Sequence, residues 1–448
     1  PEFWERTGAR IARRNLWISI ISLTLSFAIW VLWSVVTVNL DKVGFRFTSN
    51  QLFWLTALPA LSGATLRVFY SFMVPIFGGR RWTVISTLSL LLPAVGMGIA
   101  LQDSSTSYST LLILAALCGL GGGNFSSSMA NISFFYPKAK KGTATGLNAG
   151  IGNLGVSLAQ FVVPLVISSA MVGGLTGDGL PYVEHGVEKM LWLQNAGFVW
   201  VPFIVISAIL AWFGMNDIAD AKASFKDQAI IFRRKHNWLM CWLYVGTFGS
   251  FIGFSAGLAL LTKSQFPDVN PTQYAFLGPL VGALTRPVGG WISDRLKAGA
   301  TVTLYTFLLM VLGVVGVLFT LPSEGHAGNF PAFLGMFILL FALSGIGNGS
   351  TFRMIPVIFL TARTQEAEKT PEAQRQAVVQ GNKEASAVLG FSGAVGAYGG
   401  FFIPKSFGTS LEATGSVDMA LYAFIAFYLS CMVVTWWFYA RKGARTPC

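Results

Sequence analysis

Arg67 and Arg286 are the side chains of this sequence best suited to act on a ligand. Each sits inside a long apolar run, in the near-identical pentapeptides GATLR (63–67) and GALTR (282–286). A guanidinium stays charged at any physiological pH. It presents a rigid fork of N–H donors that fits a planar oxyanion through two parallel hydrogen bonds. An arginine deep in a membrane helix costs at least about 2.5–3.5 kcal/mol, so its presence there points to function. The 19 acidic residues all fall in expected loops, termini or helix ends, and so do His185, His236 and His326. Neither arginine therefore has an acidic neighbour at its own depth. Two unit charges about 8 Å apart, at an effective dielectric near 20, repel by about 2 kcal/mol. An anion between them removes that repulsion. The expected chemistry is anion recognition rather than catalysis, because no nucleophile–base arrangement, nucleotide loop or metal-ligand cluster is present. No cofactor or metal is expected.

A second stretch adds to this. GLNAGIGNLGVS (146–157) holds Gly146, Gly150, Gly152 and Gly155, with Asn148 and Asn153 between them. Each glycine costs about 1 kcal/mol relative to alanine in a helix interior. A parallel stretch, GFSGAVGAYG (390–399), holds Gly390, Gly393, Gly396 and Gly399. Asn148, Gly152 and Gly155 share one helical face, as do Ser392, Gly396 and Gly399. Small residues let helices approach closely in a bilayer, where van der Waals contact drives association. The glycines are therefore expected to form packing seams. Asn148 and Asn153 are ligand candidates, because a buried amide needs a partner.

These residues need a membrane scaffold. The chain is 53% hydrophobic and 11% charged, against about 25% charged for a soluble domain, and its mean hydropathy is +0.60. Apolar runs occur at 17–38, 51–76, 82–101, 108–136, 142–172, 194–215, 236–260, 272–293, 300–321, 331–360, 383–408 and 417–440. Each can cross a hydrocarbon core of about 30 Å, so twelve transmembrane helices are expected in an all-α integral membrane protein. The net charge of +12 lies in the short loops between runs and does not suggest nucleic acid. With the amino terminus inside, 23 of the 31 cations fall on the cytoplasmic side and four (Lys42, Arg46, Lys189, Lys263) outside. Both termini are therefore expected in the cytoplasm. Four cations stay within runs: Arg67, Arg286, Arg353 and Lys405. Lys405 is expected to snorkel, and Arg353 either lines a cavity or sits at its mouth. Cys118, Cys241, Cys431 and Cys448 show no paired spacing, and no cleavable leader is expected.

The basic stretch 216–235 divides the chain into six-helix halves, 1–215 and 236–448. Three motifs recur across it in order: GATLR with GALTR, GNFSSSM (123–129) with GNGSTFR (347–353), and the two glycine-rich stretches. The offset grows with an insertion, TARTQEAEKTPEAQRQAVVQGNK (361–383), read as a charged cytoplasmic helix-and-turn segment. Two homologous halves with a midplane site between them are the architecture of major facilitator transporters. GGWISDR (289–295) resembles that superfamily's loop motif; SFMVPIFGGRR (71–81) keeps the basic end but has Pro75 where its counterpart has Asp294.

With the arginine pair and both glycine-rich stretches in place, the chain resembles the nitrate/nitrite porters of the NarK type within the major facilitator superfamily. LSGATLRVFYSFMVPIFGGRRW, NFSSSMANISFF, YVGTFGSFIGFSAG and GGFFIPKSFG carry the likeness along essentially the whole chain. Ala149, Gly393 and Arg353 depart from the pattern, with glycine, serine and, in some members, glutamine expected there. The resemblance implies that Arg67 and Arg286 bind nitrate or nitrite, that Phe125 and Phe248 sandwich the anion, and that Tyr244 donates a hydrogen bond. It implies a bacterial cytoplasmic (inner) membrane protein, expected as a monomer, whose partners are the two anions and the lipid bilayer. Lacking a titratable acid near the site, the chain is expected to exchange nitrate for nitrite by alternating access. Such exchange is electroneutral and avoids the roughly 2.3 kcal/mol per 100 mV opposing a lone anion. It suits nitrate respiration. Proton-coupled nitrate symport and a non-transporting nitrate receptor are the alternatives.

Overall fold

The computed structural model describes residues 3–171, 174–184, 186–218, 229–323 and 325–448. Helices follow in the order α1 (Trp4–Asn39), α2 (Ser49–Tyr70), α3 (Gly79–Ala100), α4 (Tyr108–Phe135), α5 (Lys138–Ile167), α6 (Asn195–Gly214), α7 (Lys235–Gln265), α8 (Leu277–Leu296), α9 (Gly299–Thr320), α10 (Phe330–Glu366), α11 (Pro371–Thr414) and α12 (Asp418–Ala440). Each coincides with one of the twelve apolar runs. Among the described residues, eleven are long and apolar enough to cross a membrane. The twelfth, α8, is a 20-residue helix whose apolar content is diluted by Arg286, Asp294 and Arg295. The protein is thus an all-α, multi-pass membrane protein.

Local chemistry sets several helix starts. Thr48 and Gln51 form a reciprocal capping box at α2, which satisfies two backbone donors that a helix end otherwise leaves unpaired. Ser107, Asn329 and Thr370 cap α4, α10 and α11, the last two followed by Pro331 and Pro371 in the first turn. The segment 361–383 is helix, turn and helix, in keeping with the helix-and-turn reading of its sequence. α10 runs on to Glu366, residues 367–370 turn, and α11 starts at Pro371.

One strand pair interrupts the helices. β1 (Leu180–Glu184) and β2 (Val187–Leu191) form an antiparallel hairpin between α5 and α6. Lys189, at 2.8 Å, and Lys42, at 3.2 Å, hold the Glu184 carboxyl below the usual carboxylate range. No strand is expected from the sequence here, where apolar periodicity is absent.

The chain forms two compact units. One contains residues 1–221, 253–280 and 400–415; the other contains 222–252, 281–399 and 416–448. The first thus takes in the later part of α7, the start of α8 and the end of α11 besides α1–α6. Polar contacts tie these pieces together. Gln160 of α5 donates to Ser34 Oγ at 3.0 Å and to the Ser255 carbonyl of α7 at 2.7 Å. Lys263 reaches Asp41 at 2.5 Å and the Val38 carbonyl at 2.7 Å. Of the expected linker, residues 219–228 lie outside the described residues, as do His185 and Glu324; Lys235 already begins α7.

Candidate functional site

In the first unit, Arg67 is completely buried on α2. Its Nε donates to the Gly122 carbonyl of α4 at 2.9 Å. The guanidinium carbon lies 4.5 Å from the Phe125 ring centroid and 5.0 Å from that of Trp30. Cation–π attraction from two rings and one carbonyl bond fixes both the place and the plane of this guanidinium. Glycines make the fit possible. A Cβ at Gly63 would stand 2.7 Å from Trp30 Nε1, and one at Gly122 2.5 Å from the same indole. Trp30 is itself anchored by donating to the Pro59 carbonyl at 2.8 Å.

In the second unit, Arg286 is 7% exposed on α8. Its guanidinium carbon lies 5.4 Å from the Phe352 ring of α10. Its Nη1 is buried without a hydrogen-bond partner among the described residues, and no carboxylate there forms an ion pair with it. A buried donor left unpaired costs about 1–3 kcal/mol, more when charged. α8 and α10 meet through glycines as α2 and α4 do. A Cβ at Gly289 would lie 2.1 Å from the Ile346 carbonyl, and one at Gly349 2.1 Å from that of Arg286 itself.

Tyr244 and Phe248 are buried one turn apart on α7, with ring centroids 5.5 Å apart and planes at 26°. Directly after Tyr244 the helix widens into a π turn, Val245–Gly249, which includes Phe248. Such turns shift the register of a helix face and recur at functional sites. The turn lies where α7 meets α11. A Cβ on Gly399 would lie 2.4 Å from Gly249 Cα, and one on Gly396 2.6 Å from the Tyr244 ring. The regular helix of α11 breaks at Tyr398, beside this contact. In the first unit, a Cβ at Gly155 would stand 2.1 Å from the Thr24 carbonyl, and one at Gly152 2.7 Å from Leu23. These four glycines mark close approaches. Gly146, Gly150 and Gly390 do not: nothing lies within 4 Å of their missing Cβ. Gly393 is buried.

Asn148 is fully buried and donates to Ser128 Oγ at 2.9 Å, so its donor already has a protein partner. Its Oδ1, buried as well, has no partner among the described residues. Asn153 is equally buried, and its Oδ1 has no partner among the described residues.

Three other charged side chains have partners that the sequence does not show. The Nε of Arg353 donates to Asp294 of the GGWISDR motif, bracing α10 against the end of α8. In the first half, Asp217 supplies the carboxylate that Pro75 cannot, accepting the Arg80 backbone N–H at 2.8 Å. Lys405 does not snorkel to lipid. It donates to Asn50 at 2.8 Å and Thr409 at 2.9 Å and lies over the Trp54 ring. Glu384 breaks the rule that acids occupy ends: it sits inside α11, 3% exposed. Arg363 grips it with two bonds of 2.7 and 3.1 Å, and Arg234 adds one of 3.2 Å. It is inside because the charged segment before the apolar run is already helix.

Sequence reasoning missed Trp30, Phe352 and the π turn. For Phe352 a signal existed. Aligning GNFSSSM with GNGSTFR sets Phe125 opposite Gly349 and puts Phe352 three residues on, one helical turn away. The aromatic partner is kept and shifted by a turn.

The sequence profile described as Major Facilitator Superfamily matches residues 17–404. The chain is 52% identical over 442 residues to the nitrate/nitrite transporter NarU of Escherichia coli (strain K12), covering 99% of this chain and 95% of that protein. It is 43% identical over 456 residues to the probable nitrate/nitrite antiporter NarK2 of Thermus thermophilus, covering 100% and 97%. Among solved structures, a D-xylose–proton symporter matches with a TM-score of 0.66 at 13% identity, covering 95% of this chain and 97% of that one. At that identity the likeness concerns the fold.

Proposed function

Since the chain belongs to the NarK-type nitrate/nitrite porters of the Major Facilitator Superfamily, we propose that it imports nitrate in exchange for nitrite, working as a monomer by alternating access. The halves 1–215 and 236–448 rock about an anion held by Arg67 and Arg286, with both termini in the cytoplasm of a bacterium. Phe125 keeps the Arg67 guanidinium in plane, and Tyr244, Phe248, Asn148 and Asn153 complete the surroundings of the anion.

The observation that carries this reading is the unpartnered, buried Nη1 of Arg286. A permanent charge in that condition is relieved by an anion, and a flat oxyanion can use the whole fork. The exchange follows from the same point. An empty site of this charge resists occlusion, so the return step favours a second anion. The names borne by relatives at 52% and 43% identity support the choice of anion.

Proteoliposomes test it. Vesicles loaded with nitrite should take up labelled nitrate rapidly without a proton gradient, and empty vesicles should not. Uptake by empty vesicles that requires an inward proton gradient would establish symport instead. Nitrate binding without any counterflow would indicate a receptor.

A further inference from the structure

We propose that the groove at the start of α1 is a binding site for the headgroup of an anionic glycerophospholipid. The groove has a volume of about 430 Å³ and is lined by Glu5, Ala9, Arg10, Arg13, Arg14 and Trp17. Three guanidinium groups face one carboxylate, and none of the three forms an ion pair among the described residues. The local field is therefore positive and uncompensated, which suits a phosphodiester with no balancing ammonium.

The site is built rather than incidental. Arg14 donates to Asn216 Oδ1 at 2.9 Å. Asn216 is locked to the fully buried Asn15 by two bonds, one from its backbone N–H to Asn15 Oδ1 at 2.9 Å and one from Asn15 Nδ2 at 3.1 Å. One arginine is thus fixed to the segment leaving α6, while Arg10 and Arg13 are exposed and free to close on a ligand.

Depth identifies the source of the phosphate. Arg10, Arg14, Trp17 and Ile21 follow one another along a single stripe of α1. Trp17 is 49% exposed and Ile21 43%. Tryptophan prefers the headgroup level of a bilayer. At 1.5 Å per residue, Arg13 and Arg14 lie about 5 Å beyond Trp17 along the axis and Arg10 about 10 Å beyond. The guanidinium groups therefore meet the phosphates of the leaflet nearest the amino terminus, and Trp17 and Ile21 offer the acyl chains an apolar path. A free phosphate gains nothing from that path.

Native mass spectrometry of the purified full chain, with phosphatidylglycerol or phosphatidylethanolamine added, tests this. Wild type should retain phosphatidylglycerol preferentially, and the Arg10→Gln/Arg13→Gln/Arg14→Gln variant should lose that preference, at about fivefold per arginine. A control variant, Arg375→Gln/Lys383→Gln, removes two exposed cations from α11 and should leave it intact. Inorganic phosphate should not displace the lipid. The proposal is overturned if the triple variant keeps the preference, if the control loses as much, if phosphatidylethanolamine is retained equally, or if phosphate competes. Should the triple variant fail to fold, Arg13→Gln alone decides: its side chain is exposed, and an unchanged preference overturns the proposal.

Discussion

Replacing Arg286 by lysine separates charge from geometry. The ammonium keeps the unit charge, so the long-range attraction for an anion persists. What goes is the fork. Hydrogen bonds to charged groups contribute about 1.5–3 kcal/mol each, and a lysine cannot make two parallel bonds to one planar face. It also forfeits the flat contact with Phe352, whose centroid lies 5.4 Å from the guanidinium carbon. Losing one bond weakens nitrate binding by about 10- to 150-fold. Folding should be little affected, because Nη1 has no protein partner to lose among the described residues.

Isothermal titration of nitrate into purified protein, with thermal midpoints recorded alongside, measures both quantities. A folded Arg286→Lys protein that binds nitrate within about threefold of wild type has lost less than one charge-assisted bond is worth. That result would refute two-pronged recognition at Arg286. Weak binding with a collapsed midpoint would instead show that Arg286 is held by protein contacts, contrary to the reasoning above.

Arg286→Met removes a buried unpartnered charge, so in nitrate-free buffer the thermal midpoint should hold or rise, as such replacements are often neutral or stabilising; the midpoint rise that nitrate gives wild type by mass action should vanish. Gly399→Ala drives a methyl to within 2.4 Å of Gly249 Cα and should destabilise by about 1–3 kcal/mol, seen as a lower midpoint. Gly146→Ala meets nothing within 4 Å and should be neutral or stabilising by up to about 1 kcal/mol, so a loss of stability there would contradict the packing described. Glu384→Gln leaves Arg363 and Arg234 without their shared carboxylate and should cost about 3 kcal/mol, which denaturation in detergent would report.

The twelve helices are legible because a hydrocarbon core leaves the backbone no alternative: every polar group must be bonded within the segment, so apolar length alone marks a span. Boundaries are legible only where apolar and polar composition change together. α10 and α11 overrun their apolar runs because residues 361–383 are rich in Ala, Glu, Gln, Lys and Arg, good helix formers outside a membrane. That overrun turns Glu384 from a helix end into a buried interior. The π turn at Val245–Gly249 leaves no mark in composition. It lies against α11 at the Gly249–Gly399 approach, and tertiary contact of that kind has no one-dimensional signature.

The arginines show the same division. Their types and depth mark them, because an intramembrane guanidinium is too costly to be casual. Their matched pentapeptides suggest equal surroundings, and there the repeat misleads. Arg67 is held by a carbonyl and two rings, whereas Arg286 has one ring. The pentapeptides are conservative because they govern how α2 packs on α4 and α8 on α10, through glycines that tolerate no Cβ. What each guanidinium touches is decided elsewhere, by Trp30 on α1 and by an aromatic displaced one turn along α10. Equal packing with unequal second neighbours leaves more protein contacts around Arg67 than around Arg286, and a substitution at Arg286 therefore reports on the anion more directly than the same substitution at Arg67.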